Sequence, residues 1–374
     1  MKAGWQVKTL GDSCFIARGG SPRPIQEFLT NDADGVNWIK ISDATASDKF
    51  IFKTKEKIKP SGISRSRLVK EGDFILSNSM SFGRPYVMKT SGCIHDGWLV
   101  LSEYEKYFDQ GFLYHLLGSP VVFEQFNNLA AGSTVRNLNI ELASRVVLPV
   151  PPIEQQQRIV AILDQAFEGI TKARANAQQN LQNARALFES HLQSVFSQRG
   201  DGFEAKIFDE VLEIKNGKDQ KPVEKAGGKY PIYGSAGNVM GWTDSYICDE
   251  QTTIIGRKGT INRPIFIETK FWNVDTAFGL AAKPNLNAKF LYFFCLSYDF
   301  SLHNRGTTIP SLVKTDLLNI KISVPSLSVQ ELLVKKFTAL HNETKRLEAL
   351  YQRRIALLDE LKKSLLQQAF AGEL

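Results

Sequence analysis

The chain lacks most of the marks by which enzymes and membrane proteins show their chemistry. Only four cysteines occur in 374 residues. They stand apart at Cys14, Cys93, Cys248 and Cys295 with no Cys-x-x-Cys pair, so neither a zinc framework nor a disulfide framework is encoded. They read as buried or idle thiols. No apolar run approaches the ~18 residues of a membrane-spanning helix. The opening Met1-Lys2-Ala3-Gly4-Trp5 has no apolar signal segment. A soluble, cytoplasmic protein with no membrane partner is expected. Also missing are a Gly-x-x-x-x-Gly-Lys-Ser/Thr nucleotide loop, a His-Glu-x-x-His zinc motif and an Asn-Pro-Pro-Tyr run for methylating an exocyclic amine.

What is present is a duplication. Gly132-Ser133-Thr134-Val135, Val150-Pro151 and Gln156 lead into a helical pattern ending near Phe196. The same series returns 174 positions later as Gly306-Thr307-Thr308-Ile309, Val324-Pro325 and Gln330, before a second pattern ending at Phe370. Upstream, Trp5 to Leu10 parallels Phe203 to Phe208, Gly19 parallels Gly217, and Asp96 parallels Asp275. An ordered series of matches implies a repeated unit. The chain therefore reads as globule 1–152, helix 153–199, globule 200–326 and helix 327–374.

Each helix carries an apolar seam. The first steps through Leu163, Phe167, Ile170, Arg174, Ala177, Leu181, Ala184, Phe188, His191 and Val195. The second steps through Phe337, Leu340, Thr344, Leu347, Tyr351, Arg354, Leu358, Leu361 and Leu365. This is heptad spacing, with Arg174 and His191 as polar positions that can set register. At ~1.5 Å rise per residue, roughly 44 residues make a rod of about 66 Å, and a stripe that long needs a partner. Each rod is the obvious partner of the other. Prolines at 149, 151 and 152 hold the chain extended before the first, whose Glu154 suits the helix N-terminus. Ser328-Val329-Gln330-Glu331 has capping-box spacing at the second. Gly200 or Gly202 and Gly372 supply the stops.

The globules combine short apolar strand-like runs with modest helices, notably Phe112 to Phe126 and Ala288 to Phe300, and long polar loops. Net charge is +7, which permits an anionic partner. Lys53, Lys55, Lys57 and Lys59 have period-two spacing. They form a phosphate rail if the segment is a strand, or simply protect a solvated edge. In the second globule, loops carrying Lys215, Asn216 and Lys218, then Tyr233 and Ser235, then Arg257, Lys258 and Thr260, combine glycine with cations and small donors. Glycine lets the backbone approach a phosphate or a base, and the donors suit phosphate oxygens and base edges. Turn chemistry alone also explains Gly and Asn in each loop. Arg263 joins this set, and Asn78, Ser79, Arg84 and Arg136 are the candidates in the first globule.

Several motifs carry a family resemblance. These are Leu148 to Val160 (Leu-Pro-Val-Pro-Pro-Ile-Glu-Gln-Gln-Gln-Arg-Ile-Val), Asn216-Gly217-Lys218, Lys229-Tyr230-Pro231-Ile232-Tyr233-Gly234, Ile255-Gly256-Arg257-Lys258-Gly259 and the closing Gln368 to Leu374. In this order the chain resembles, along essentially its whole length, the specificity subunits of type I restriction–modification systems. The resemblance implies an α+β chain of two α/β target-recognition domains with a pseudo-twofold repeat. Its two long helices would form an antiparallel coiled coil. Each domain would read one half of a split site in double-stranded DNA, and the coiled coil would set the gap. It further implies two modification methyltransferase subunits as partners, joined by restriction and translocase subunits. S-adenosylmethionine, ATP and Mg would belong to those partners, with no cofactor or catalysis in this chain.

The first globule departs from the pattern. Ile75-Leu76-Ser77-Asn78-Ser79-Met80-Ser81-Phe82-Gly83 stands where the second has its basic glycine loop. At the second rod, Pro325-Ser326-Leu327-Ser328-Val329-Gln330 degrades the Pro-Pro-x-Glu-Gln pattern. Two rivals remain at this level. A nuclease reading could use Asp249 with Glu268-Thr269-Lys270, although Glu-x-Lys also occurs at Glu204, Glu213 and Glu360, so chance explains it better. A coiled-coil scaffold for other proteins would use the same rods, and only the basic, donor-rich loops favour nucleic acid.

Overall fold

Two helices dominate the computed structural model, Ile153–Phe196 of 44 residues and Leu327–Ala371 of 45 residues. Residues 4–78, 83–130, 138–198, 200 and 202–374 are described. They divide into two units, Met1–Ala175 with Arg354–Leu374, and Asn176–Arg353. Each unit owns a globule and a part of both rods.

In each unit the rods pack on one another antiparallel. In the first, Lys362 lies 5.0 Å over the Phe167 ring and Arg174 Nε donates to Asp359 Oδ1 at 3.2 Å. In the second, Arg185 Nε donates to Glu348 Oε1 at 2.6 Å, and the Phe188 ring lies 5.0 Å from that of His341. As numbers rise along one helix they fall along its partner. Leu163, Ile170, Ala177, Phe188, Phe337 and Thr344 are buried, as the heptad seam requires. The strict seven-residue step fails elsewhere. His191 is exposed and Leu192 is buried in its stead, while Arg354 and Leu361 face solvent. A helix of 3.6 residues per turn drifts ~20° per heptad, so the buried stripe slips off a fixed 3.5 step. The polar seam residue Arg174 pairs across the rods, in keeping with a register role.

The rod ends follow local chemistry. Gly372 has φ +82°, its N–H donates to Ala369 O at 3.3 Å, and the Glu373 N–H reaches Gln368 O at 2.9 Å. These are the paired bonds of a glycine-terminated helix. The second rod begins at Leu327, one residue before the expected Ser328 cap. Gln330 is employed differently. It is fully buried, its amide donates to Pro325 O at 2.8 Å and Asn285 O at 3.2 Å, and its carbonyl accepts the Asn287 N–H at 2.7 Å. Gln156 does the same in the first unit. It donates to Pro151 O and Tyr107 O, both at 2.8 Å, and accepts from Asp109 N–H at 2.8 Å. Asp109 and Asn287 are themselves the N-caps of globule helices Gln110–Leu117 and Ala288–Ser297. One glutamine per unit thus ties the start of a rod to the start of a globule helix.

Each globule also closes on itself. Gln6–Thr9 pairs antiparallel with Val147–Val150, and Glu204–Ile207 pairs with Lys321–Val324. The strand that opens a globule lies beside the strand that leaves it for a rod.

The first globule has two five-stranded sheets. The inner one orders Phe15–Arg18, Trp98–Ser102, Phe74–Ser77, Pro85–Met88 and Phe50–Ile51. Its three central strands are buried on both faces by simple alternation. Phe74, Leu76, Leu99 and Leu101 face the helices and rods, whereas Ile75, Trp98 and Val100 face the outer sheet. The outer sheet orders Leu29–Thr30, Glu56–Ile58, Val36–Ile39, Gly92–Ile94 and Arg67–Val69. The second globule has a four-stranded sheet, Leu212–Asn216, Ala277–Ala282, Thr252–Gly256 and Ile265–Ile267, and a three-stranded one, Val239–Thr243, Tyr230–Tyr233 and Trp272–Asn273.

Two expectations change in detail. The helix expected from Phe112 to Phe126 is two, Gln110–Leu117 and Pro120–Ala130, because Gly118 ends the first and Ser119-Pro120 starts the second. The Ser119 hydroxyl caps it by accepting the Val122 N–H at 3.3 Å. The lysine run is no continuous strand either. Only Lys57 lies on Glu56–Ile58, and Lys53 and Lys55 precede it outside any strand, with Lys55 at a bend where Asp43 Oδ1 accepts its N–H at 3.2 Å. Lys59 turns its ammonium onto Glu27 O at 2.7 Å.

Candidate nucleic-acid interface

Strand pairing in the second globule brings its separate loops to one end. Ala277–Ala282 runs antiparallel to both Leu212–Asn216 and Thr252–Gly256, placing Asn216 opposite Phe278 and Gly256 opposite Ala277. Tyr233 lies beside Asn273, which leads into the same turn, and Ile265 opposite Ile254 sets Arg263 at that end as well. Lys215, Asn216, Lys218, Tyr233, Ser235, Arg257, Lys258, Thr260 and Arg263 therefore share one face of loops. Asn216, Lys218, Lys258, Thr260 and Arg263 are exposed, and the others are half-buried.

The backbone fixes these loops tightly. A Cβ on Gly217 would lie 1.8 Å from Val274 O, so only glycine lets the chain pass there. The Lys218 N–H donates to Asn273 O at 3.0 Å and its carbonyl accepts the Trp272 indole N–H at 3.1 Å. Arg257 is set in place by its N–H to Thr276 O at 2.8 Å, its guanidinium to Asp275 O at 3.3 Å, and the Phe278 ring 5.7 Å below. A cation held this way loses less side-chain freedom on meeting a ligand.

A fourth loop went unread as a functional element in the sequence. Arg305 to Ser311 lies against Arg257 to Gly259, with Gly259 N–H on Pro310 O at 2.9 Å and Leu312 N–H on Arg257 O at 2.8 Å. It contains the repeated Gly306-Thr307-Thr308-Ile309, which had served only to mark the duplication. Arg305 Nε donates to Asp316 at 2.8 Å, and that bond holds the Asp316 carboxyl below its usual range. Asp299 is likewise held down by hydrogen bonds from Ser301 and then Asn262.

The first globule repeats the plan. Arg18 pairs opposite Leu99 and Ser77 opposite Trp98, so the chain after Arg18, the chain after Ser77 and the His95-Asp96-Gly97 turn meet at one end. Gly19 matches Gly217 in kind, since a Cβ there would lie 2.0 Å from His95 O. Asn78 is at this end but only 2% exposed, and its amide donates to Asp96 O at 2.8 Å. It braces the turn rather than facing solvent, a correction that follows from its burial. Arg84 is exposed beside this strand end, 3.8 Å from Asp48 and 5.1 Å from the Tyr86 ring centre. Ser79 and Arg136 lie outside the described residues. Lys53, Lys55 and Lys57 belong to the outer sheet and its approach, apart from the inner-sheet strand ends that carry Asn78 and Arg84.

Two cations here were missed. Arg18 Nε donates to Asp96 O at 3.0 Å, and Arg23 lies 3.4 Å from the Asp96 carboxylate. Asp96 also accepts from Ser21 Oγ at 2.7 Å, the first cause of its lowered pKa. The signal was available: Arg18-Gly19 stands where the other globule has Asn216-Gly217, with cations close by in both.

Of the nuclease-like set, Asp249 meets Lys270 at 3.8 Å while Glu268 pairs with Lys289 at 3.1 Å, and no cluster of metal-ligating side chains occurs among the described residues. All four cysteines are buried, and burial pushes the Cys14 and Cys248 thiols up to about 12. Among the described residues no helix is long and apolar enough to cross a membrane.

Comparison with known proteins agrees with this layout. The family described as the type I restriction modification DNA specificity domain matches residues 2–180 and again 201–356. The MjaIX type I restriction enzyme specificity subunit of Methanocaldococcus jannaschii is 22% identical over 99% of this chain and 93% of its own. A putative type I restriction enzyme specificity subunit of Haemophilus influenzae, S.HindORF215P, is 29% identical over 43% of this chain and 41% of its own. Among solved structures, a chain from work on complex assembly and conformational transition of the type I R-M system superposes with TM-score 0.86 at 18% identity, covering 100% of this chain and 99% of that one. The HsdS subunit from Thermoanaerobacter tengcongensis superposes with TM-score 0.65 at 18% identity, covering 100% of this chain and 98% of that one. At that identity the likeness concerns the fold.

Proposed function

Since the chain belongs to the type I restriction–modification DNA specificity family, we propose that its two loop-bearing ends each read one half of a bipartite target in double-stranded DNA, with the paired rods setting the unread gap. The chain is a non-catalytic specificity subunit that works in a complex with other subunits of such a system. In our reading, 1–152 and 200–326 are the target-recognition domains, and 153–199 and 327–374 the spacer helices. Two modification methyltransferase subunits dock on it and restriction and translocase subunits join them. Those partners would carry S-adenosylmethionine, ATP and Mg. In this reading the protein works in the cytoplasm.

The observation that carries the reading is the convergence of cation-bearing glycine loops at one end of a globule, seen independently in both units. In the second, Arg257, Lys258 and Arg263 with Asn216, Lys218 and Thr260 supply donors for base edges and phosphates; Lys215, Tyr233 and Ser235 support them. In the first, Arg84 is joined by Arg18 and Arg23, and Lys53, Lys55 and Lys57 add phosphate contacts. Ser79 and Arg136 remain candidates. A good bidentate base contact is worth about 1 to 3 kcal/mol of discrimination.

Methylome sequencing in cells carrying the full system with Arg257→Ala tests this. One or more positions of one half-site should relax while the other half is retained. An unchanged motif at unchanged occupancy would remove Arg257 from the reading set. Band shifts with the methyltransferase present should weaken steeply with salt. Sequence-blind, salt-insensitive binding would instead favour a protein scaffold.

A further inference from the structure

In the second globule the chain from Arg305 to Ser311 folds back on itself and is tied at both ends. Asn304 Oδ1 accepts the Gly306 N–H at 2.9 Å and the Ser311 N–H at 2.8 Å, and the Asn304 amide donates to Gly306 O at 3.0 Å. The Arg305 N–H donates to Ser311 O at 2.8 Å. A Cβ on Gly306 would lie 1.8 Å from Ile309 O, so only glycine lets the turn close this tightly. Lys258 forms a strand-like bridge with Ser311, and the Gly259 N–H donates to Pro310 O at 2.9 Å. The loop is thereby fixed beside Arg257 to Gly259, at the end where the cation-bearing loops meet.

What this frame presents to solvent is uncharged and rich in carbon. Ile309 is 62% exposed, and Thr307, Thr308 and Pro310 beside it are exposed as well. Cations flank them: Arg257 and Lys258 across the bridge, and Arg305 at the base of the loop. An isoleucine left bare on a fixed backbone gains free energy when a partner surface covers it. Its β-branched side chain has little rotamer freedom to lose in doing so. Leu302 is also exposed, at 74%, but it belongs to the turn Phe300–His303 before Asn304, and its N–H bonds Asp299 O rather than this loop. The duplicated sequence has a β-branched apolar residue at this point in both copies, Ile309 and Val135, the latter outside the described residues.

We propose that Ile309 is a specificity-determining residue that covers the C5 methyl group of one thymine in the major groove of the half-site read by the second globule. This contact rests on the half-site reading proposed above. Among the base-edge groups of that groove the thymine methyl is the apolar one, and the others are hydrogen-bond donors and acceptors. Arg257 and Lys258 next to the loop suit those others and the phosphates on the groove walls. An apolar wedge driven between stacked base pairs works as a side chain that stands clear of its neighbours. Ile309 instead shares its tip with three exposed residues, a broad surface suited to lying on base edges. Covering one methyl group is worth about threefold to fivefold in affinity.

The test uses the full chain in complex with its methyltransferase subunits and duplexes carrying the methylated target. Each thymine of both halves is replaced in turn by uracil, which loses the methyl group and keeps the pairing edge. At one thymine, uracil should weaken binding about threefold to fivefold. Ile309→Ala, its fold checked by circular dichroism, should abolish the thymine preference at that position and leave every other position unchanged. Leu302→Ala should keep the full preference. A site at which uracil matters nowhere, or an Ile309→Ala complex that retains every uracil effect, overturns the assigned contact while half-site reading stands. Ile309→Ala that loosens the methyltransferase subunits with all uracil effects intact also overturns it, in favour of a protein contact. Binding with no sequence preference at all defeats half-site reading itself, and this contact with it.

Discussion

Replacing Gln330 by Met keeps the length of the side chain and deletes its amide. Three backbone groups then lose their partner: the Asn287 N–H and the Pro325 and Asn285 carbonyls. The site is fully buried, so water does not replace those bonds without opening the rod from the globule helix. A net worth near 1 kcal/mol per bond, with up to ~3 kcal/mol for a buried group left alone, sets the scale, and the apolar thioether recovers part of it. A loss of about 2 to 4 kcal/mol is expected. With a urea dependence of roughly 2 kcal/mol per molar, the midpoint of the second unit should fall by about 1 to 2 M. Urea titration followed by circular dichroism measures the loss, and native-state hydrogen exchange shows which unit loosens. Gln179→Met is the control, because Gln179 is an exposed residue of the first rod whose side chain donates to Asn183 one turn on. Gln156→Met should match Gln330→Met in size, and the double variant should show the sum, as expected for sites that share no partner. If Gln330→Met falls within about 0.5 kcal/mol of Gln179→Met, the clamp contributes no more than a surface contact. The reasoning would then be wrong.

Removing seven residues from each rod shortens it by about 10 Å. At ~3.4 Å per base pair, the gap between methylated half-sites should shrink by about three base pairs with both halves unchanged; altered bases in either half, seen by methylome sequencing, would give the rods a reading role. Asp96 titrates below its ordinary value in the folded chain, chiefly through the Ser21 hydroxyl. Its contribution is therefore present above the unfolded pKa and fades as pH falls through the lowered folded value. Ser21→Ala should thus cost stability at neutral pH and progressively lose that difference as acid is added, as read by denaturation at pH 7 and at successively lower pH; a cost that stays equal throughout would exclude the carboxylate as the cause. The raised thiol pKa values of Cys14 and Cys248, about 12 each, predict that an aromatic disulfide reagent at pH 8 leaves these two unmodified in the folded chain and reaches all four cysteines on unfolding.

The rods were legible because helical periodicity repeated over 44 residues overwhelms local noise, and because the whole pattern occurs twice. The loops around Gly217 and Gly256 were legible because strands bounded by glycine and cations say where turns must fall. Tertiary placement was not. Asn78 looks like a free donor in sequence, and only the strand ends reveal that it is spent on Asp96 O. Gln156 and Gln330 look like surface residues of a polar helix. Nothing local announces that a globule cap will descend on each of them. The lysine run misled because alternation was read as a strand where Asp43, a residue twelve positions away from Lys55, holds the chain in another course. Arg18 and Arg23 escaped notice because their common anchor, Asp96, lies more than seventy positions downstream.

The pairing of Gln6–Thr9 with Val147–Val150, and of Glu204–Ile207 with Lys321–Val324, bears on how such a chain can change over time. Each globule begins and finishes at neighbouring strands, so its two ends form a single seam on the rod. A substitute with the same seam could be stitched in by recombination without altering the helix beyond it. The duplicated sequence around those seams supplies the matching stretches such an exchange needs. Novelty in what is recognised can then arrive as a whole cassette, while the frame that receives it is inherited intact.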